Sequence, residues 1–482
     1  MGNHKSVEFN AVLNALRMML TVIVPIITFP YTSRIFLAEG SGQLTFSSSY
    51  VQLYTLIASL GVYTYGVREG AKVRENKKKF SQLVKELLII NICSTIIAYV
   101  LLIISLGCFD KLNEYRPLIL INSILIGFTA LGMDWIYGVY EDYTYITVRQ
   151  IVVQIITIVS LFVFVHTKED IYIWAIIGVV PYTIANIINI IHAKQYFDFH
   201  ITEKPNLRKH LKPILILFST QVSSKVYNII DTTILGFLAN DTSTGLYSAA
   251  IKVNSIVIVV FTSMAPVFVP SIMDLLKLHD IDGFKEQVKN TFRLCLGLAI
   301  PASIGAMVLS EDIIIALAGS SFENAAFTMR ILSPIIIIST FSNILFYCVL
   351  TPLNRESDVL KCMLAASVLN VTISIFLTPF FKQNGAATGS IIAEIICLFL
   401  SMYYVEKSGI KISQIVPSLR TYLDGSFIIA IVCIMTKLII NSVWISLAVS
   451  IILSIGCYFL VLKIKKDPLI QALKCITKRG DK

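Results

Sequence analysis

Apolar segments of about 20 residues recur along the whole chain, parted only by short polar breaks, and nothing constrains the fold more. The first lies near 10–30 and the last near 443–463, and cutting at every polar break gives about fourteen of them. A run of that length can close all its backbone hydrogen bonds internally as an α-helix and span the ~30 Å hydrocarbon core of a bilayer. A soluble core cannot absorb so many runs joined by short loops. Fourteen helices would use about 280 of the 482 residues, which leaves little for a soluble domain. The expected fold is therefore an all-α polytopic membrane protein of about 14 transmembrane helices.

The formal net charge of +10 would suggest nucleic acid in a soluble chain. Here its distribution explains it. With the N-terminus inside, the cytoplasmic segments carry about 28 Lys and Arg and the external loops about five, the imbalance that orients membrane helices. Both termini are then cytoplasmic. The basic clusters Arg68–Lys79, Lys194–Lys212 and Lys463–Lys482 are topology signals, and no nucleic-acid partner is expected. The first apolar segment lacks a small-residue cleavage site and reads as a retained helix. Nine cysteines occur singly, as at Cys93, Cys295, Cys397 and Cys433, without a CxxC pair, so they read as packing residues rather than metal ligands.

A short internal echo divides the chain. Phe36-Leu37-Ala38-Glu39 closes the first helix, and Phe237-Leu238-Ala239-Asn240 closes the seventh, about 200 residues on. Six crossings return the chain to its starting side, so this offset predicts parallel six-helix repeats with a substrate cavity between them. The expected organisation is an N-lobe at 1–200, a C-lobe at 201–410, and two extra helices with a basic tail at 411–482. In that last part Asp424 and Lys437 lie near helix ends, where side chains snorkel. These two helices read as a peripheral addition and a candidate resting surface for a lipid tail.

Charges inside the apolar runs carry the functional reading. Arg17, Lys225, Lys252 and Arg330 are cations in membrane helices, each costly at the midplane by about 2.5 kcal/mol or more on insertion scales. Such residues line watery interiors or neutralise buried acids. If they line an interior, they suit an anionic, phosphate-bearing substrate, with Arg offering a fork of donors and Lys a mobile point charge. Asp134, Asp231 and Glu394 are the acids within the helices, candidates for proton or sodium coupling or for counter-ions. Pro25 and Pro30 in the first helix, with Pro266 and Pro270 in the eighth, are hinge candidates.

Absences narrow the class further. The chain has no phosphate-binding GxxxxGK[ST] loop, no HExxH zinc motif, and no Ser/His/Asp constellation. Its six histidines fall outside the apolar runs or at their ends. No catalytic residue, resident cofactor or metal is expected.

Several patches stand in a fixed order: Pro30-Tyr31-Thr32-Ser33-Arg34, Gly61…Tyr65-Gly66-Val67-Arg68-Glu69, and Asp134-Trp135-Ile136-Tyr137-Gly138 followed by Glu141 and Ile146-Thr147-Val148-Arg149. Then come Tyr227…Asp231…Ile234-Leu235-Gly236, Gly245-Leu246-Tyr247-Ser248-Ala249-Ala250-Ile251-Lys252, Asn384-Gly385-Ala386-Ala387 and Glu394. Together, over residues 10–405, they resemble the Wzx-type polysaccharide flippases of the multidrug/oligosaccharidyl-lipid/polysaccharide exporter superfamily. Two positions depart from that pattern. The family more often has Leu-Gly at Phe36-Leu37 and Gly at Asn354, which is expected to loosen two turns.

The resemblance implies a MATE-like fold of two six-helix lobes around a central cavity, working by alternating access in a bacterial cytoplasmic (inner) membrane. It implies an undecaprenyl-diphosphate-linked oligosaccharide as substrate, for O-antigen, capsule or exopolysaccharide assembly. A polysaccharide polymerase and a chain-length regulator follow as pathway partners. Two other readings stay open: a cation-coupled multidrug exporter of the same superfamily, and a membrane-bound glycan polymerase, against which the short external loops argue.

Overall fold

The computed structural model describes residues 7–198 and 204–470, with side chains from residue 23 onward except at 130, 220 and 223–228. Every element among the described residues is helical. Nine of these helices are long and apolar enough to cross a membrane. Their large apolar side chains face outward, as at Ile103 (66% exposed) and Ile452 (69%), which only a lipid environment tolerates over so much surface. The helices form two compact units, residues 1–237 and 238–482.

The first unit contains α1 (Val7–Ser59), α2 (Val62–Val73), α3 (Lys77–Cys108), α4 (Arg116–Leu131), α5 (Asp134–Val139), α6 (Tyr143–Phe164), α7 (Ile171–Ala193) and α8 (Arg208–Leu238). A straight helix of 53 residues would be about 80 Å long, far beyond one bilayer crossing. Helix α1 breaks at Leu37, whose φ of 55° and ψ of −169° are not helical. The second copy of the echo also lies at a junction. Leu238 ends α8, and the Asn240 side chain caps α9 (Asp241–Thr262) by accepting from the Ser243 amide at 2.8 Å.

Glycines set the close approaches in this unit. Gly66 and Gly70 on α2 give Trp135 of α5 its seat: a Cβ at Gly66 would lie 2.6 Å from the indole. Gly236 does the same for Phe46, where an added Cβ would lie 1.9 Å from the ring. Gly61 has φ of 76° and lies against the α8 backbone at Phe218, so both its conformation and its contact exclude a side chain. The glycines and the tryptophan of the recurring patches are thus packing partners of one another.

The second unit contains α9, α10 (Val269–Lys277), α11 (Ile281–Val308), α12 (Ser310–Ala318), α13 (Ala325–Leu332), α14 (Ile335–Ile344), α15 (Glu356–Lys407), α16 (Ile412–Ile415), α17 (Arg420–Ile439) and α18 (Val443–Ile464). Helix α15, 52 residues long, breaks at Lys382 (φ 49°, ψ −129°). Its two arms fold against each other, because Gly385 lies on the Leu377 carbonyl and Gly389 on the Ser374 hydroxyl. Helix α14 continues as a π-helical turn over Leu345–Leu350. Helices α17 and α18 are packed onto α11: Tyr458 of α18 donates to the Gly297 carbonyl, and the Tyr422 ring lies against Gly297.

The prolines fall into two kinds. Pro25 and Pro30 lie inside α1. Pro266 and Pro270 end a run rather than bend it. Helix α9 stops at Thr262, Pro266 opens a 3₁₀ turn over Ala265–Phe268, and Pro270 sits in the first turn of α10, where no N–H is needed.

Candidate functional site

In the first unit Asp134 opens α5, directly after Met133 in the left-handed region (φ 52°). That turn aims its carboxylate at α6. Arg149 donates from Nη1 to Asp134 Oδ1 at 2.8 Å, and Asn189 of α7 donates to the same oxygen at 2.6 Å. Asn189 is itself fixed, since its carbonyl accepts from the Tyr137 hydroxyl at 2.6 Å. The sequence placed Asp134 inside a helix as a buried acid. Its side chain is instead 45% exposed, against 16% for Arg149, because it sits at a helix start facing a cavity. That cavity, of about 400 Å³, lies between α4, α6 and α7 and is lined by Thr129, Asp134, Arg149, Gln150, Tyr182 and Asn186 among others.

A second polar centre ties the start of α8 to α3. The Glu86 side chain is 1% exposed and accepts four hydrogen bonds: from His210 Nε2 (2.6 Å), Lys209 Nζ (2.8 Å), the Asn206 amide (2.8 Å) and Gln82 Nε2 (2.8 Å). A carboxylate only accepts, so His210 carries its proton on Nε2 while Nδ1 meets the Tyr65 hydroxyl at 2.7 Å. Sequence reasoning missed both residues. The available signal was Glu86 sharing a helix face with Leu83, Leu87 and Ile90, all buried. At the opposite end of α8, Lys111 donates to the Phe237 carbonyl at 3.1 Å, satisfying a last-turn acceptor.

Of the sequence-derived cations, Arg17 and Lys225 lie outside the described side chains. Lys252 is exposed on α9. Arg330 opens into a charged cluster: Nε donates to Ser310 Oγ at 2.8 Å and Nη2 lies 3.7 Å from Glu311. Lys437 of α17 reaches the same carboxylate at 2.7 Å and Asp312 at 3.8 Å. Lys437 is therefore pinned to α12. The Lys437 hydrogen bond holds the Glu311 carboxyl below the usual carboxylate range. Asp231 is 3% exposed beside Thr232, whose hydroxyl bonds Ser49 of α1 at 2.8 Å, and Glu394 is half-buried on the second arm of α15. Among the described residues no group of His, Cys, Asp and Glu is arranged to hold a metal ion.

These features define a multi-pass membrane protein built from helical units with charged groups set between membrane helices. The family described as "Polysaccharide biosynthesis protein" matches residues 9–276, and the chain belongs to it. The chain is 23% identical over 419 residues to the "Putative O-antigen transporter" of Escherichia coli (strain K12), covering 85% of this chain and 99% of that protein. Among solved structures it is similar to the Lipid II flippase MurJ in an inward closed conformation, with TM-score 0.74 at 16% identity, over 96% of this chain and 99% of that one. It is also similar to an inward-facing multidrug resistance MATE family transporter of the MOP superfamily, with TM-score 0.62 at 13% identity, over 83% and 98% of the two chains. The fold is the MATE-like transporter fold expected from the sequence.

Proposed function

We propose that this chain is a flippase that moves undecaprenyl-diphosphate-linked oligosaccharide repeat units from the cytoplasmic to the external leaflet by alternating access. The observation that carries the reading is membership of a polysaccharide biosynthesis family by a chain with the fold of a lipid-linked precursor flippase. A diphosphate needs cations within the membrane, and a sugar needs a wet path. Arg17, Lys225 and Lys252 are assigned to the diphosphate, and Arg330, held by Glu311, to the rim of the path. Asp231 and Glu394 are the coupling candidates for a proton or sodium ion, with Asp134 the counter-ion of Arg149. Counting two crossings each for α1 and α15, and one each for α3, α4, α6, α7, α8, α9, α11, α13–α14, α17 and α18, gives fourteen, with both termini cytoplasmic in a bacterial inner membrane. A polymerase and a chain-length regulator would act on the product.

The test is deletion of the gene in its host, with surface polysaccharide and intracellular undecaprenyl-diphosphate-linked repeat units both quantified. Loss of polymer with accumulation of single repeat units, reversed by the intact gene but not by Lys252→Gln at equal membrane abundance, is the expected result. Normal polymer with altered resistance to organic cations would overturn it in favour of a multidrug exporter.

A further inference from the structure

Helices α6 and α7 leave an open seam between them, a groove of about 520 Å³ whose walls are almost wholly apolar. Val152, Ile156 and Phe164 line it from α6, and Ile176, Val180 and Ile184 from α7. The seam exists because small or ring-closed residues face it. Ser160, Pro181 and Ala185 occupy positions where longer side chains would close the gap. Its lining runs from Tyr145 to Phe164, 19 residues along α6, or about 28 Å.

That length decides what fits. A phospholipid chain reaches only the bilayer midplane, about 15 Å deep. From Arg149 to Phe164 the groove runs 15 residues, about 22 Å, which passes the midplane and suits one continuous apolar chain longer than a fatty acid. At its Tyr145 end the groove meets the polar cavity of Asp134 and Gln150, and Arg149, Val153 and Ala185 line both. Arg149 uses Nη1 for Asp134, while Nε and Nη2 donate to no described residue. A Cβ at Gly178, on the wall of the polar cavity, would meet nothing within 4 Å, so that space is open. An apolar groove joined at an arginine to a polar cavity is complementary to an amphiphile with an anionic head.

The geometry points to a binding site for a polyisoprenyl phosphate or diphosphate, its chain laid in the α6–α7 seam and its phosphate on the free edge of Arg149. This deepens the flippase reading and rests on it for the identity of the lipid. The site is a docking position for the substrate's carrier within the first unit, occupied before the diphosphate passes to Arg17, Lys225 and Lys252.

The test replaces Ile156 with the photocrosslinker p-benzoylphenylalanine in the full-length protein, purified in micelles with undecaprenyl diphosphate or with dioleoylphosphatidylglycerol. Ile103, exposed on α3, carries the crosslinker as a control. The expected result is an undecaprenyl adduct at Ile156 at least about tenfold above that at Ile103, and not displaced by equimolar phosphatidylglycerol. The double variant Arg149→Gln/Asp134→Asn, which removes both charges and leaves neither unpaired, should lower the adduct about tenfold while the protein stays monodisperse. Equal adducts at both positions, full displacement by phosphatidylglycerol, or no effect of the double variant would overturn the site. Because the adduct is read on purified protein and polymer in cells, failure here with restored polymer leaves the flippase reading standing. A specific adduct in a protein whose deletion leaves polymer normal would refute that reading alone.

Discussion

Leu37 holds a conformation that an L-residue with a side chain avoids. With φ of 55° and ψ of −169° it lies in a region populated almost only by glycine, at a cost of about 1–3 kcal/mol. The leucine side chain is half-buried and directly follows Phe36, which clusters with Leu161, Val165 and Ile177, so Leu37→Gly alone would mix lost packing with relieved strain. The informative comparison is Leu37→Ala against Leu37→Gly, since both remove the packing and only glycine removes the Cβ. In an ordinary helix glycine is the less stable of the two by about 1 kcal/mol. Here the order should invert, with the glycine variant more stable than the alanine variant by about 1–2 kcal/mol once the extra freedom of an unfolded glycine is subtracted. Unfolding of the purified protein in mixed micelles by increasing SDS, followed by tryptophan fluorescence, measures this, and Trp174 sits against the same cluster as reporter. An alanine variant as stable as the glycine variant, or more so, would refute the strain argument.

Three other outcomes are expected. Glu86→Leu leaves the buried His210 without its acceptor, together with the Lys209, Asn206 and Gln82 donors nearer the surface, and should cost about 1–3 kcal/mol in the same assay, with the Glu86→Leu/His210→Phe double variant costing clearly less than the sum of its singles. Gly236→Ala forces a methyl into the Phe46 ring, which Tyr115 and Phe237 box in, and should cost about 1–3 kcal/mol, partly recovered by Phe46→Leu. The Glu311–Lys437 pair should stabilise the protein above the ordinary glutamate pKa, about 4.3, and lose that stabilisation as pH falls through the lowered folded-state value. Melting temperatures of the wild type and Lys437→Met should therefore converge at low pH; a constant gap would refute the pairing.

The all-helical membrane fold was legible because a bilayer demands about 20 apolar residues per crossing, and nine described helices supply them. The two family departures proved more informative than they looked. Leu37 and Asn354 (φ 58°) both stand at positive φ, where a glycine would be free, so each departure from the family pattern falls at a backbone position that suits glycine. Individual polar partners were not legible. Asp134 was visible as an acid in a helix, but Arg149 became its partner only through the reversal between α5 and α6, where Glu141 takes φ of 57°. Glu86 and His210 are 124 residues apart, and Lys437 and Glu311 are 126 apart. Periodicity in one helix carries no information about which residue of another helix will meet it.

Helix α8 is fastened near both ends, by His210 and Lys209 on Glu86 and by Lys111 on the Phe237 carbonyl. Between those fastenings it behaves as a lever arm about 40 Å long. Tilting it by about 5° about one fastening would sweep the other by more than 3 Å, the full length of a hydrogen bond. Small rotations are therefore not available to α8 by elastic bending of its contacts. It either keeps both clasps and turns as a rigid spoke of its own unit, or releases one of them outright, which makes any reorientation of this helix a discrete, two-position event.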